Sequence, residues 1–172
     1  WCAITGQPDD PIVRLLSSLI EGKVAFIVIG GAAAVLSGVP IVTKDLDIVH
    51  SRSPENVERL LSVLSKLDAH FRPDFAQRKL RPRASDLTGH GHLNFDTTFG
   101  PLDVLCEVSG SRGFDELVPH TVELSDFDLK LRVLDLPMLI KVKSEANRPK
   151  DRMALPILMA TLDERKKSHG DE

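Results

Sequence analysis

A chain of 172 residues with 42% hydrophobic content can bury one sizeable core but not two independent ones, so a single domain spanning 1–172 is expected. Lys and Arg number 22 against 25 Asp and Glu, a net charge of −3 with the histidines neutral; this argues against a protein built mainly to coat nucleic acid and leaves room only for a local basic site. The apolar runs break well short of the roughly 20 residues needed to cross a bilayer, and the two cysteines, Cys2 and Cys106, have neither zinc nor redox spacing, so free thiols in a reducing compartment are expected. The N-terminus shows no charged-then-apolar leader, which makes a cytoplasmic location the expectation; Trp1 to Gln7 carry no weight.

In chain order, Asp9 or Asp10 as N-cap and Pro11 at the first position open a helix whose apolar face is Ile12, Leu15, Leu16, Leu19 and Ile20, closed by Gly22. Val24 to Ile29 is a continuous apolar run, read as an interior strand. Gly30 and Gly31 let the backbone turn and start a short helix, Ala32 to Ser37, whose free N–H groups suit an anion. A strand from about Val42 to Val49 follows, with Leu46 and Ile48 on the core face and Asp45 and Asp47 on the other. Ser53 and Pro54 open an amphipathic helix to about Leu67. From Phe71 to Gly91 no period persists; Arg72, Arg78, Lys79, Arg81 and Arg83 mark a basic loop that either grips triphosphate or RNA or is simply solvated.

Order resumes with strands His92 to Thr98 and Leu102 to Val108 around a turn at Phe99, Gly100 and Pro101, and Asp103 lies at the start of the second. Gly113 to Val118 reads as a helical turn, Thr121 to Leu124 and Leu129 to Val133 as a strand pair. Asp135 caps a helix to about Asn147, Arg148-Pro149 breaks it, and a last helix runs from Lys150 or Asp151 to about Arg165 before a charged tail. The pattern predicts an α/β (α+β) fold: a mixed sheet flanked by helices over about 23–110, then strands and a C-terminal helical pair over about 111–167.

Carboxylates at i and i+2 of a strand project from one face, and like charges held side by side call for a cation between them; oxygen ligands suit Mg²⁺ or Mn²⁺. Asp45, Asp47 and Asp103 are therefore the candidate metal ligands and catalytic carboxylates. Two metals about 3.5–4 Å apart can activate an attacking hydroxyl and neutralise a leaving pyrophosphate. Lys141, Lys143, Arg148 and Lys150 supply cations for a triphosphate. Lys143 and Lys150 would share one side of an unbroken helix, but Pro149 leaves that alignment open, and Lys143 also reads as an ordinary solvated lysine. His90 and His92 have HxH spacing without a third nitrogen or sulfur ligand nearby, so a metal role is not expected of them. Cys106 is read as core, and Asp96 as an outlying candidate for the same cleft.

The segments VIGGAAAVLSG, TKDLDIV and PLDVL resemble the nucleotidyltransferase superfamily that includes DNA polymerase β. The stretch LIKVKSEANRPKD resembles the lysine helix and KD pattern of the minimal and abortive-infection (AbiEii-type) nucleotidyltransferases, several of which are toxins of toxin-antitoxin pairs. The resemblance covers about Val24 to Asp163. It implies the nucleotidyltransferase fold, transfer of an NMP from an NTP to a hydroxyl of tRNA, protein or a small molecule, and an antitoxin partner for the toxin type. It places Gly30 and Gly31 at the nucleotide-phosphate turn, Asp45, Asp47 and Asp103 at the metals, and Lys143 near the triphosphate with Lys150 and Asp151 in the next turn. Two positions depart from the pattern: many members have Ser where this chain has Gly31, and many toxin-type members have Arg where it has Ile41. They motivate the alternative of a catalytically degenerate module that binds a nucleotide or a partner without turnover.

Overall fold

The structure, a computed structural model, describes Ile4 and residues 7–73, 76–126 and 128–168. Its helices are α1 (Pro11–Glu21), α2 (Gly30–Leu36), α3 (Pro54–Lys66), α4 (Ala84–Leu87), α5 (Phe114–Leu117), α6 (Leu136–Ala146) and α7 (Pro149–Ser168). The strands are β1 (Phe26–Ile29), β2 (Leu46–His50), β3 (His70–Phe71), β4 (His92–Thr97), β5 (Gly100–Leu105), β6 (Thr121–Asp126) and β7 (Leu129–Leu134). They form one sheet in the order β3-β4-β5-β2-β1-β7-β6. It is mixed: β2 runs parallel to β5 and β1 parallel to β7, and the other pairs are antiparallel.

The cap signals fold as their chemistry dictates. Asp10 Oδ1 accepts from the N–H of Ile12 at 2.9 Å, Ser53 Oγ from Asn56 at 3.4 Å, and Asp135 Oδ1 from Met138 at 2.8 Å. Each is followed by Pro at the start of its helix, where the missing N–H costs nothing. All four residues of β1 are buried, as a central strand covered on both faces requires. Around it close Leu15, Leu16 and Leu19 of α1, Leu60 and Leu64 of α3, and Leu46, Ile48, Leu102 and Val104 of the neighbouring strands.

Several boundaries differ from expectation, each for a local reason. β1 begins at Phe26 because the buried Asn56 side chain takes over Ala25: it accepts from the Ala25 N–H at 2.6 Å and donates to the Ala25 and Ser51 carbonyls at 3.0 and 2.8 Å. β2 begins only at Leu46, not Val42, because its partner β1 ends at Ile29, opposite Asp47, where Gly30 turns the chain. Asp45 therefore stands just outside the ladder. The stretch expected to be irregular, Phe71 to Gly91, contributes Phe71 to β3 and a short helix, α4. Asn147, left-handed at φ 49°, ends α6, and Pro149 opens α7 rather than merely breaking a helix. α7 then runs to Ser168, and its Arg165 donates to the Ser37 carbonyl beyond α2, tying the C-terminal helical pair back onto the sheet. No described helix is long and apolar enough to cross a membrane. Cys106 is fully buried, as read from the sequence; Cys2 lies outside the described residues.

Candidate active site

The register of the sheet puts Asp47 directly beside Asp103: β2 and β5 run parallel with these two as partners. Neighbouring partners on adjacent strands project from the same face, so the two carboxylates stand together at one end of the sheet. On the other side of β5, Asn94 of β4 pairs with Asp103 and His92 with Leu105, which makes His92 the diagonal neighbour of Asp103 on that face. His92 Nε2 lies 3.5 Å from Asp103 Oδ2. Ligand atoms of Asp47, His92 and Asp103 all fall within 4.8 Å of one another.

That crowding has an electrostatic cost. Burial pushes the Asp47 carboxyl up, the Asp103 charge adds to it, and His92 and Lys150 pull it back without cancelling; its pKa is raised to about 6. Two carboxylates and an imidazole at this spacing fit a divalent cation, which would relieve the repulsion that otherwise favours a protonated Asp47. Asp103 is nearly buried and already has one oxygen engaged: Arg72 Nη2 donates to its Oδ1 at 2.6 Å, while Arg72 Nη1 lies 3.7 Å from Asp96.

Gly30 is required here twice over. Its φ is +63°, and a Cβ would sit 2.3 Å from Asp47 Oδ2. Gly30→Ala is expected to cost about 1–2 kcal/mol from the left-handed backbone alone and to displace the Asp47 carboxylate. An urea unfolding curve unchanged from wild type would remove that requirement. Gly31 is tight in a different way: a Cβ there would meet Thr43 Oγ1 at 2.8 Å. Thr43 donates to the Asp45 carbonyl at 3.1 Å, so the space that a serine side chain would need at this turn is filled by a hydroxyl from the approach to β2.

A cavity of about 560 Å³ opens over this floor, lined among others by Gly30, Gly31, Thr43, Asp45, Asp47, His92 and Asp103. Lys143, Arg148 and Lys150 line it as well, Lys150 near enough to Asp47 to draw its carboxyl down, and the apolar part of the lining includes Leu105, Val108, Leu139 and Val142. The cationic side is organised by a buried carboxylate. Asp151, 0% exposed, accepts from Arg148 Nε at 2.6 Å and from Lys143 Nζ at 3.2 Å. Burial alone would push Asp151 up, but the hydrogen bonds from Arg148 and Lys143 outweigh it and hold its carboxyl below the ordinary aspartate range.

Of the residues singled out from the sequence, Gly30, Gly31, Asp45, Asp47, Asp103, Lys143, Arg148 and Lys150 line one cavity. Asp45 is not among the three whose ligand atoms cluster. Lys143 and Lys150 reach the same space from two helices, not from one continuous face. Lys141 and Asp96 are not part of the lining. Two further residues stand at this site. Arg72, one cation in the basic loop, is the partner of Asp103. His92 has no nitrogen or sulfur partner nearby, as its spacing suggests, but Asp103 Oδ2 lies 3.5 Å from its Nε2, and His90 bonds instead to Glu107 at 3.0 Å. The signal was present in the turn at Phe99: pairing β4 with β5 across it puts His92 on the face of Asp103.

Solved structures that share this architecture include a putative nucleotidyltransferase (TM1012) from Thermotoga maritima, with a TM-score of 0.53 at 14% identity, covering 86% of this chain and 89% of that one. The lincosamide antibiotic adenylyltransferase LnuA, solved with lincomycin bound, superposes with a TM-score of 0.60 at 12% identity, covering 88% of this chain and 96% of that one. The antibiotic-resistance factor ANT(2'')-Ia superposes with a TM-score of 0.58 at 12% identity, covering 90% and 83%. This chain has the nucleotidyltransferase fold. No protein-family model and no curated protein matches its sequence, so the likeness is one of backbone architecture, with the resemblance of the GG, DLD and PLDVL segments now placed at one cavity.

Proposed function

We propose that the protein is a metal-dependent nucleotidyltransferase that moves a nucleoside monophosphate from an NTP to an acceptor hydroxyl. The acceptor oxygen forms a bond to the α-phosphorus, the bond to the bridging oxygen breaks, and pyrophosphate leaves. The observation that carries this reading is the convergence of Asp47 and Asp103 in a cavity that Lys143, Arg148 and Lys150 also line. Asp47 and Asp103, with Asp45 in the same lining, would hold Mg²⁺ or Mn²⁺, in the two-metal form if two ions bind, supplying charge neutralisation and activation of the attacking hydroxyl.

The chain's own groups do the rest. Lys143, Arg148 and Lys150 offset the triphosphate charge, and Asp151 fixes two of them in place before the nucleotide arrives. Gly30 and Gly31, lacking side chains, let the phosphates pass close over the backbone. Leu105, Val108, Leu139 and Val142 give the base a wall that excludes water. Arg72 holds one oxygen of Asp103, leaving the other toward the cluster and able to take the acceptor proton. Catalysis is then mostly positioning and charge complementarity.

Incubation with α-labelled NTPs, divalent metal and candidate acceptors tests the reading. Asp45→Ala is expected to lower transfer at least about 10²-fold; transfer at wild-type rate would take Asp45 out of the mechanism. Nucleotide binding without pyrophosphate release would instead support the degenerate module that Gly31 and Ile41 suggested.

The acceptor has a second, narrower reading. Glu107, bonded to His90, lines the same cavity, an acidic group of the kind a cationic small molecule needs, and two of the solved neighbours are named for antibiotics. A small-molecule hydroxyl is therefore our preferred acceptor. A role as a toxin with an antitoxin partner is supported only by the resemblance of the LIKVKSEANRPKD stretch.

A further inference from the structure

We propose that His92 is itself a metal ligand, so that the site binds its cation through mixed nitrogen and oxygen donors and takes Mn²⁺ in preference to Mg²⁺. The inference rests on the divalent-metal reading above and sharpens it to a ligand set and an ion. Three features of the structure lead to it. His92 Nε2, not merely the ring, is the atom that approaches Asp103 Oδ2, at 3.5 Å, and both fall within the 4.8 Å cluster with an oxygen of Asp47. Arg72 takes Asp103 Oδ1, so Asp103 offers the cluster one oxygen rather than two and the donor count must be made up elsewhere. The His92 side chain is 41% exposed, on the cavity side of β4, so the imidazole is reachable and is not consumed as core.

The choice of ion follows from donor chemistry. Mg²⁺ is small, prefers oxygen ligands in near-ideal octahedral geometry and gives up water reluctantly. Imidazole favours first-row transition ions over Mg²⁺, and of these Mn²⁺ is the one grouped with Mg²⁺ at sites dominated by carboxylate and water. A site of three carboxylates would discriminate little between Mg²⁺ and Mn²⁺; replacing one donor by imidazole tilts it. A different use of the same geometry, in which His92 only orients Asp103 by hydrogen bonding, would weaken both ions alike when His92 is removed.

The test is Mn²⁺ titration of chelator-stripped protein followed by electron paramagnetic resonance, with Mg²⁺ as competitor, on wild type, His92→Gln and Asp47→Ala. Wild-type protein is expected to show nitrogen hyperfine coupling to the bound Mn²⁺ and to require a large excess of Mg²⁺ for displacement. In His92→Gln the coupling disappears and Mn²⁺ affinity falls about tenfold or more, on the scale of losses seen on altering the surroundings of a metal, while Mg²⁺ affinity changes less than about twofold. No nitrogen coupling in the wild type, or equal weakening of both ions, overturns the ligand role. Mn²⁺ binding that survives Asp47→Ala overturns the carboxylate site and this inference together. Nitrogen-coupled Mn²⁺ in a protein that transfers no nucleotide leaves the inference standing and removes the proposed function instead.

Discussion

In the presence of chelator, Asp47→Asn is expected to make the fold more stable near neutral pH, by up to about 3 kcal/mol, while abolishing nucleotidyl transfer. The basis is the Asp47 carboxyl raised from 3.8 to about 6 by burial and by Asp103. A group whose pKa is higher folded than unfolded binds its proton more tightly in the native state, so its contribution is fully present below the unfolded value and is lost as pH rises through the folded one. The wild-type protein without metal should therefore lose stability between about pH 4 and pH 7 relative to the Asn variant, and the two should converge at the acid end. Taking the difference between the two proteins removes the other carboxylates, which titrate in both. Adding Mn²⁺ or Mg²⁺ should reverse the order near neutral pH, because an ion that binds only the folded wild type stabilises it by mass action. Urea unfolding at several pH values measures this. A difference between the proteins that does not depend on pH would mean that Asp47 is not the strained group, whatever its effect on transfer.

A residue whose isosteric replacement stabilises the fold is a residue kept for something else, and this separates what the sequence could reveal from what it could not. Periodicity and caps carried the elements: Asp10, Ser53 and Asp135 each announced a helix that the structure closes with a side-chain hydrogen bond. The spacing of Asp45 and Asp47 suggested a pair on one strand, yet the pair that forms is Asp47 with Asp103, brought together by the parallel pairing of β2 and β5. Local spacing cannot report a partner across strands far apart in the chain. Alternation gives the side of Asp47 wherever the strand starts, whereas Asp45 lines the same cavity from just outside the ladder because the strand's end is set by its neighbour β1. The pairing of Arg72 with Asp103 is hidden from the sequence for the same reason. A cation in an aperiodic segment has no pattern of its own; its role appears only once β3 lies beside β4 and the chain returns over Asp103. Gly31 looked like a missing hydroxyl, and only the packing of Thr43 against the turn shows why no side chain is accommodated.

The cationic side of the cavity yields the other large effect: Asp151→Ala should lower stability by about 3–5 kcal/mol and raise KM for the NTP. Asp151 is wholly buried and is bonded to Lys143, whose side chain is 15% exposed, and to Arg148, whose side chain is 52% exposed. Removing one partner of a buried pair strands the other, so the loss comes mainly from Lys143; the half-exposed Arg148 can turn to water. Asp151 also sits in the first turn of α7, where a negative charge is favoured, and it links that helix to α6 through Lys143. The pH sign is opposite to that of Asp47. A carboxyl held below its ordinary value contributes stability above the unfolded pKa and loses it as pH falls through the folded one, so wild type and Asp151→Asn should approach each other in acid. The double variant Lys143→Met, Asp151→Ala isolates the coupling, since removing the stranded ammonium should recover part of the loss. If instead the two single losses simply add, the pair does not act as a unit, and Lys143 is held at the cavity by its helix alone.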